Sequence, residues 1–173
     1  SEPFYHPTQK LLANPEIILT PHILLLRWMS NVSFVMVHLL LFYTAGFIGC
    51  VKIASRCGMG FVSFFLLATL FNLNGFIVAH LGIGHLQWAG YYLLPFFLLL
   101  FTDLCRETDG HVFRLRGRSV AISLMLFLLL LNGSFHVAIW CMLFMLLAGF
   151  WDHRLLPNVC YTLTLAVLLG LFR

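Results

Sequence analysis

From position 32 onward the chain is one apolar run after another: 32–51, 59–79, 88–104, 119–150 and 155–172. A helix of about 20 residues spans a hydrocarbon core of about 30 Å. The runs read as membrane-spanning helices. The expected fold is all-α: a polytopic transmembrane helical bundle of about five spans plus short interfacial helices. Composition closes the soluble alternative. The 173 residues are 61% hydrophobic and 9% charged, against roughly 25% charged in soluble domains. The net charge of +4 is expected to orient loops, not to bind nucleic acid.

Residues 1–30 differ from the rest. They carry Pro3, Pro7, Pro15 and Pro21. "NPEIIL" and "TPHILLLRWM" each place a capping residue, Asn14 or Thr20, before a proline at the first helical position. We read 1–30 as an extracytoplasmic, interfacial segment with short helices, and 31–173 as the transmembrane bundle. The chain starts at Ser1 without Met and stops at "LLGLFR". Both ends read as cut, so the expectation is a segment of a longer polytopic protein, whose remaining helices would be its partners.

Region 119–150 would be about 48 Å long as one helix at about 1.5 Å per residue. "LNGSFH" sits near its middle. A single tilted crossing, broken there, is favoured over two short segments, because half-length segments span poorly. With five crossings, Lys52, Arg56, Arg106, Arg114, Arg116, Arg118 and Arg173 fall on one side, and Lys10, Arg27 and Arg154 on the other. The first side is then cytoplasmic. The N-terminal segment, the 80–88 turn and the 151–157 loop fall on the opposite side, with Glu2, Glu16 and Asp152.

The polar groups of the bundle are gathered, not scattered. "FNLNGFIVAHLGIGHLQWAGYYLLPFF" holds Asn72, Asn74, His80, His85, Gln87 and Trp88. Unpaired in lipid each polar group would cost several kcal/mol, about 2–7. They must therefore pair, line a wet cavity, or sit among headgroups. Five residues separate the two histidines, and Gly82 and Gly84 between them read as a turn. One reading is a hydrated interfacial turn with an aromatic belt of Trp88, Tyr91 and Tyr92. The other is a binding pocket for a polar headgroup or sugar. Two histidines without a nearby carboxylate make a poor metal site, and none is assigned. Asn132, Ser134 and His136 form a second island, either helix–helix glue or a second wall of the same pocket. His38, alone in the first run, reads as a packing residue. Gly46 and Gly49 permit close helix contact.

The five cysteines form no CxxC pair, and no GxSxG, HExxH or phosphate-cradling glycine loop occurs. The catalytic residues are therefore unknown from the residues alone.

The segment "LFNLNGFIVAHLGIGHLQWAGYYLLPFFLLL", followed by "LLLNGSFHVAIWCMLFMLL", resembles the middle of GT-C superfamily membrane glycosyltransferases of uncharacterised bacterial and archaeal type. The likeness covers about residues 71–150. It implies a plasma-membrane enzyme that takes a sugar from a lipid-linked, polyprenyl phosphate donor on the extracytoplasmic face. It also implies a pocket role for Asn74, His80, His85, Gln87 and Trp88, with His136 opposite. The acidic residue such enzymes use lies in a loop that normally precedes the matched region. It carries over onto no residue here, and any divalent metal would be bound outside this segment. A transporter or channel, with "HLGIGH" lining a path, and a non-catalytic structural subunit stay open beside this reading.

Overall fold

A computed structural model describes residues 20–107 and 117–171. The helix start expected at Asn14 and the loop 108–116 lie outside the described residues, as do Lys10, Arg114, Arg116 and Arg173. A short 3-10 helix, η1 (Pro21–Arg27), leads into α1 (Asn31–Arg56), α2 (Phe61–Asn72) and α3 (Gly75–Gly82). A second 3-10 helix, η2 (Leu86–Leu93), runs directly into α4 (Leu94–Glu107). Then come α5 (Gly117–Leu131), α6 (Phe135–Trp151) and α7 (Leu156–Gly170). The described residues hold no strand, as the apolar pattern requires.

Local chemistry sets the boundaries. Pro21 opens η1 behind Thr20, as expected, but the Thr20 hydroxyl makes no capping bond and lies against His22 instead. Ser30 caps α1 by accepting from the Ser33 N–H at 3.2 Å. Asn74 accepts from the N–H groups of Phe76 and Ile77 at 3.1 and 3.3 Å, so the second apolar run breaks into α2 and α3. Pro95 lies in the first turn of α4, where its missing N–H costs nothing. It marks the change from 3-10 to α geometry instead of kinking a helix.

Contacts give each helix its direction. Gly46 of α1 faces Tyr92, and Gly49 faces Pro95, where an added Cβ would lie 2.6 Å from the ring. Farther along, Arg56 pairs with Asp103. Helix α1 and η2–α4 therefore run parallel, with α2–α3 returning between them. The glycines allow this approach, as their spacing anticipated.

The second half departs from expectation. Region 119–150 is not one broken crossing but a hairpin. The Ser123 hydroxyl donates to the Thr162 carbonyl at 2.9 Å, and Gly170 lies against Leu130, so α5 and α7 run parallel. Phe144 of α6 packs on Phe97 and Phe101, well below the turn, so α6 runs back down. The reversal is made at Gly133, whose φ of 76° is open to glycine. The loop at Asp152–Arg154 consequently lies at the same end as Arg56 and Arg118, not with the histidines. Arg154 and Asp152 change sides.

Core burial follows this layout. Leu104, Ile122, Leu126, Leu129, Met145 and Val159 are buried among α4–α7. By contrast α2 leaves Phe61, Val62, Phe65, Leu66 and Leu70 exposed. Three helical segments, Asn31–Arg56, Phe61–Gly82 and Leu86–Arg106, are long and apolar enough to cross a membrane. Helices α5, α6 and α7 are shorter apolar helices of 15, 17 and 15 residues.

Candidate functional site

One end of the bundle gathers most of the residues singled out above. His80 lies in the last turn of α3, a turn follows, and His85 precedes η2. The turn requires Gly84, whose φ is +92°. It brings His80 Nδ1 to 3.1 Å from His85 Nδ1. The ring centres are 5.3 Å apart, so the two nitrogens point at one another. One must donate and the other accept, so a single proton lies between these two atoms.

Trp88 joins this pair to the second half of the bundle. Its indole stacks on His80, with centres 4.6 Å apart and planes 20° from parallel. On another side it meets His136, centre to centre 3.9 Å. Phe76 packs edge-on against both His80 and Trp88. His136 Nε2 is buried with no hydrogen-bond partner among the described residues. Two imidazoles, His80 from α3 and His136 from α6, thus share one tryptophan, and His85 joins them through His80.

The hairpin turn is fastened to η2 from behind. The Ser134 hydroxyl donates to the Gln87 carbonyl and accepts from Asn132 Nδ2 at 2.9 Å. Gly90 makes room for it, since an added Cβ would lie 2.8 Å from Leu129 and collide with Ser134. In the expected "second island" Asn132 and Ser134 are the helix–helix glue, and His136 packs against Trp88.

The remaining expected residues take other parts. Gln87 contributes its carbonyl to the Ser134 bond. Asn74 is the cap of α3, outside the imidazole cluster. Asn72 is fully within the packing, its side-chain amide donating to the Ala68 carbonyl at 2.8 Å while its backbone carbonyl accepts from the Tyr92 hydroxyl at 3.3 Å.

Sequence reasoning missed a second imidazole pair. His38 is not alone: its Nδ1 lies 2.7 Å from Nε2 of His22 on η1, and the Thr20 hydroxyl lies 3.2 Å from the same Nε2. Phe34 and Phe42 frame the pair. Burial holds the His22 imidazole below its ordinary value. The missed signal was physical: a histidine buried in an apolar helix must find a partner. Since α1 and η2 run parallel, with Gly46 level with Tyr92, His38 comes to the level of His85–Trp88. Between η1, α1, η2 and α5 lies an apolar groove of about 220 Å³, lined by Thr20, His22, Phe42, Ala45, Leu93 and Leu128.

The opposite end is ionic. Asp103, 8% exposed, pairs with Arg56 through one carboxylate oxygen and Arg118 through the other. Three helices, α1, α4 and α5, meet at this carboxylate. Among the described residues no group of three or more His, Cys, Asp and Glu side chains is placed to hold a metal ion.

No protein-family model matches the chain, and neither a curated protein nor a solved structure matches it.

Proposed function

We propose that the chain is a multi-pass plasma-membrane protein and that it forms the membrane module of a GT-C-type glycosyltransferase using a polyprenyl phosphate sugar. The observation that carries the reading is Trp88 held between His80 and His136, with His85 bonded to His80, at the end of the bundle opposite Arg56 and Arg118. Lys52, Arg56, Arg106, Arg118 and Arg154 sit at or near the ionic end, against Arg27 at the other. By the positive-inside rule the imidazole end is then extracytoplasmic, where lipid-linked sugars are consumed.

The chemistry fits that assignment. An imidazole N–H can donate a hydrogen bond to a departing phosphate oxygen, stabilising the charge that develops there. An indole face beside it can stack on a sugar ring. The groove beside Thr20 and His22 offers apolar walls to a lipid chain. The acid–base carboxylate would come from outside this segment.

Sugar transfer from polyprenyl phosphate donors by the full-length protein tests the reading. His85→Ala is expected to lower turnover by about 10²-fold, with Arg27→Gln as a neutral control. Full activity in His85→Ala and Trp88→Ala would remove the cluster from the site.

A further inference from the structure

We propose that the Arg56–Asp103–Arg118 triad, with Lys52 and Arg106 beside it, binds the phosphate of an anionic phospholipid. The proposal rests on the membrane reading and is independent of sugar transfer.

Asp103 is the organiser. Its nearly buried carboxylate engages Arg56 and Arg118 from two different helices. Yet the two arginine side chains stay 34% and 42% exposed. A guanidinium carries five N–H donors, and one carboxylate oxygen occupies few of those on Arg56. The carboxylate thus holds both guanidiniums in place, and the outer edge of Arg56 faces the surroundings.

Lys52 lies one turn before Arg56, its ammonium 5.3 Å from the centre of the Phe96 ring, which keeps it against α4. Arg106 is exposed one turn after Asp103. Arg56, Arg118 and Arg106 thus act on one carboxylate, with Lys52 a turn away along α1. Asp152 and Arg154 at the same end offset one another, so the cluster stays positive. It sits where α1 and α4 end and α5 begins, the level of the headgroups if these helices span. A basic recess between helix ends on the cytoplasmic side is the geometry that holds anionic headgroups. A guanidinium pair suits phosphate because its planar donors match two oxygens at once.

The test uses the full-length protein, delipidated in a neutral detergent and examined by native mass spectrometry. Phosphatidylglycerol and phosphatidylcholine of matched chains are added in competition. The wild type is expected to retain phosphatidylglycerol with about tenfold preference. Lys52→Gln with Arg106→Gln should abolish that preference without moving the thermal transition, because neither residue is an ion-pair partner of Asp103. Arg27→Gln should leave it unchanged. Equal retention of the two lipids, or an unchanged preference in the double variant, would overturn the proposal. Displacement of the lipid by equimolar inorganic phosphate would assign the site to free phosphate and overturn the lipid assignment. Loss of lipid selectivity with intact sugar transfer would separate failure here from failure of the transferase reading. Thiol labelling from the two membrane faces tests the membrane reading independently.

Discussion

The two ends of this bundle solve the same problem with different chemistry. Each must join helices that are far apart in sequence, in an apolar setting. The ionic end does so with one carboxylate between two guanidiniums, from α1, α4 and α5. The imidazole end uses neutral hydrogen bonds and ring contacts: His80 with His85, His22 with His38, and Trp88 against His136. Charged groups are strong but leave a costly orphan when one partner is lost. Neutral rings can exchange a proton and adjust. An anchor suits the first description, and a site suits the second.

The sharpest way to break the comparison is at Asp103. Asp103→Ala strands Arg56 and Arg118 beside one another and is expected to cost about 1–3 kcal/mol, below the figure for a fully buried pair because both arginines are partly exposed. Chemical or thermal unfolding in detergent reads this. Added salt should narrow the gap between variant and wild type, since screening weakens the ion pairs that the variant lacks. At the imidazole end His80→Phe, which keeps the ring stack, should show no such salt dependence.

Next in size is the joint between the halves. Gly90→Ala puts a methyl group into Ser134 and Leu129, and about 1–3 kcal/mol of destabilisation is expected from overpacking. If Gly90→Ala is neutral, the hairpin turn does not sit against η2.

The pH response is the smallest effect. Burial depresses the His22 value in the folded state. The neutral ring is therefore the docked form, and the unfolded or undocked segment binds more protons. Docking of η1 is fully present above the ordinary value of 6.5 and is lost as pH falls through the depressed one. Hydrogen exchange of residues 21–27, corrected for the intrinsic pH dependence, should rise on acidification, and His22→Phe should abolish the rise. A flat profile in the wild type would show that the His22–His38 bond does not hold η1.

Much of this arrangement could be read from the residues. The helical runs, the Thr20–Pro21 start and the Gly84 turn are local, and each follows from backbone geometry. Asn74 was legible too, as an asparagine directly before an apolar run is a cap signal; its polarity drew it into the site instead. The hairpin was misread because length was weighed over the Asn132–Gly133 dipeptide, which marks a turn. Short helices are tolerated there because α5 packs along α7 and against α4. The His22–His38 pair and the meeting of Trp88 with His136 were not legible. Such pairs join residues from separate helices, and no spacing along one helix encodes them.

The central claim is that the imidazole end and the ionic end lie on opposite faces of the membrane. Two positions report it, each with Cys105 and the exposed Cys160 replaced by Ser: native Cys57, exposed beside the end of α1, and Gly82→Cys with Cys57→Ala, an exposed position with open space around it. A membrane-impermeant maleimide applied to intact cells should label the Gly82→Cys protein at once and Cys57 only after permeabilisation. Labelling of both positions from the outside, or of Cys57 alone, would contradict the account, because α2–α3 would then not carry the chain from one face to the other in the stated direction.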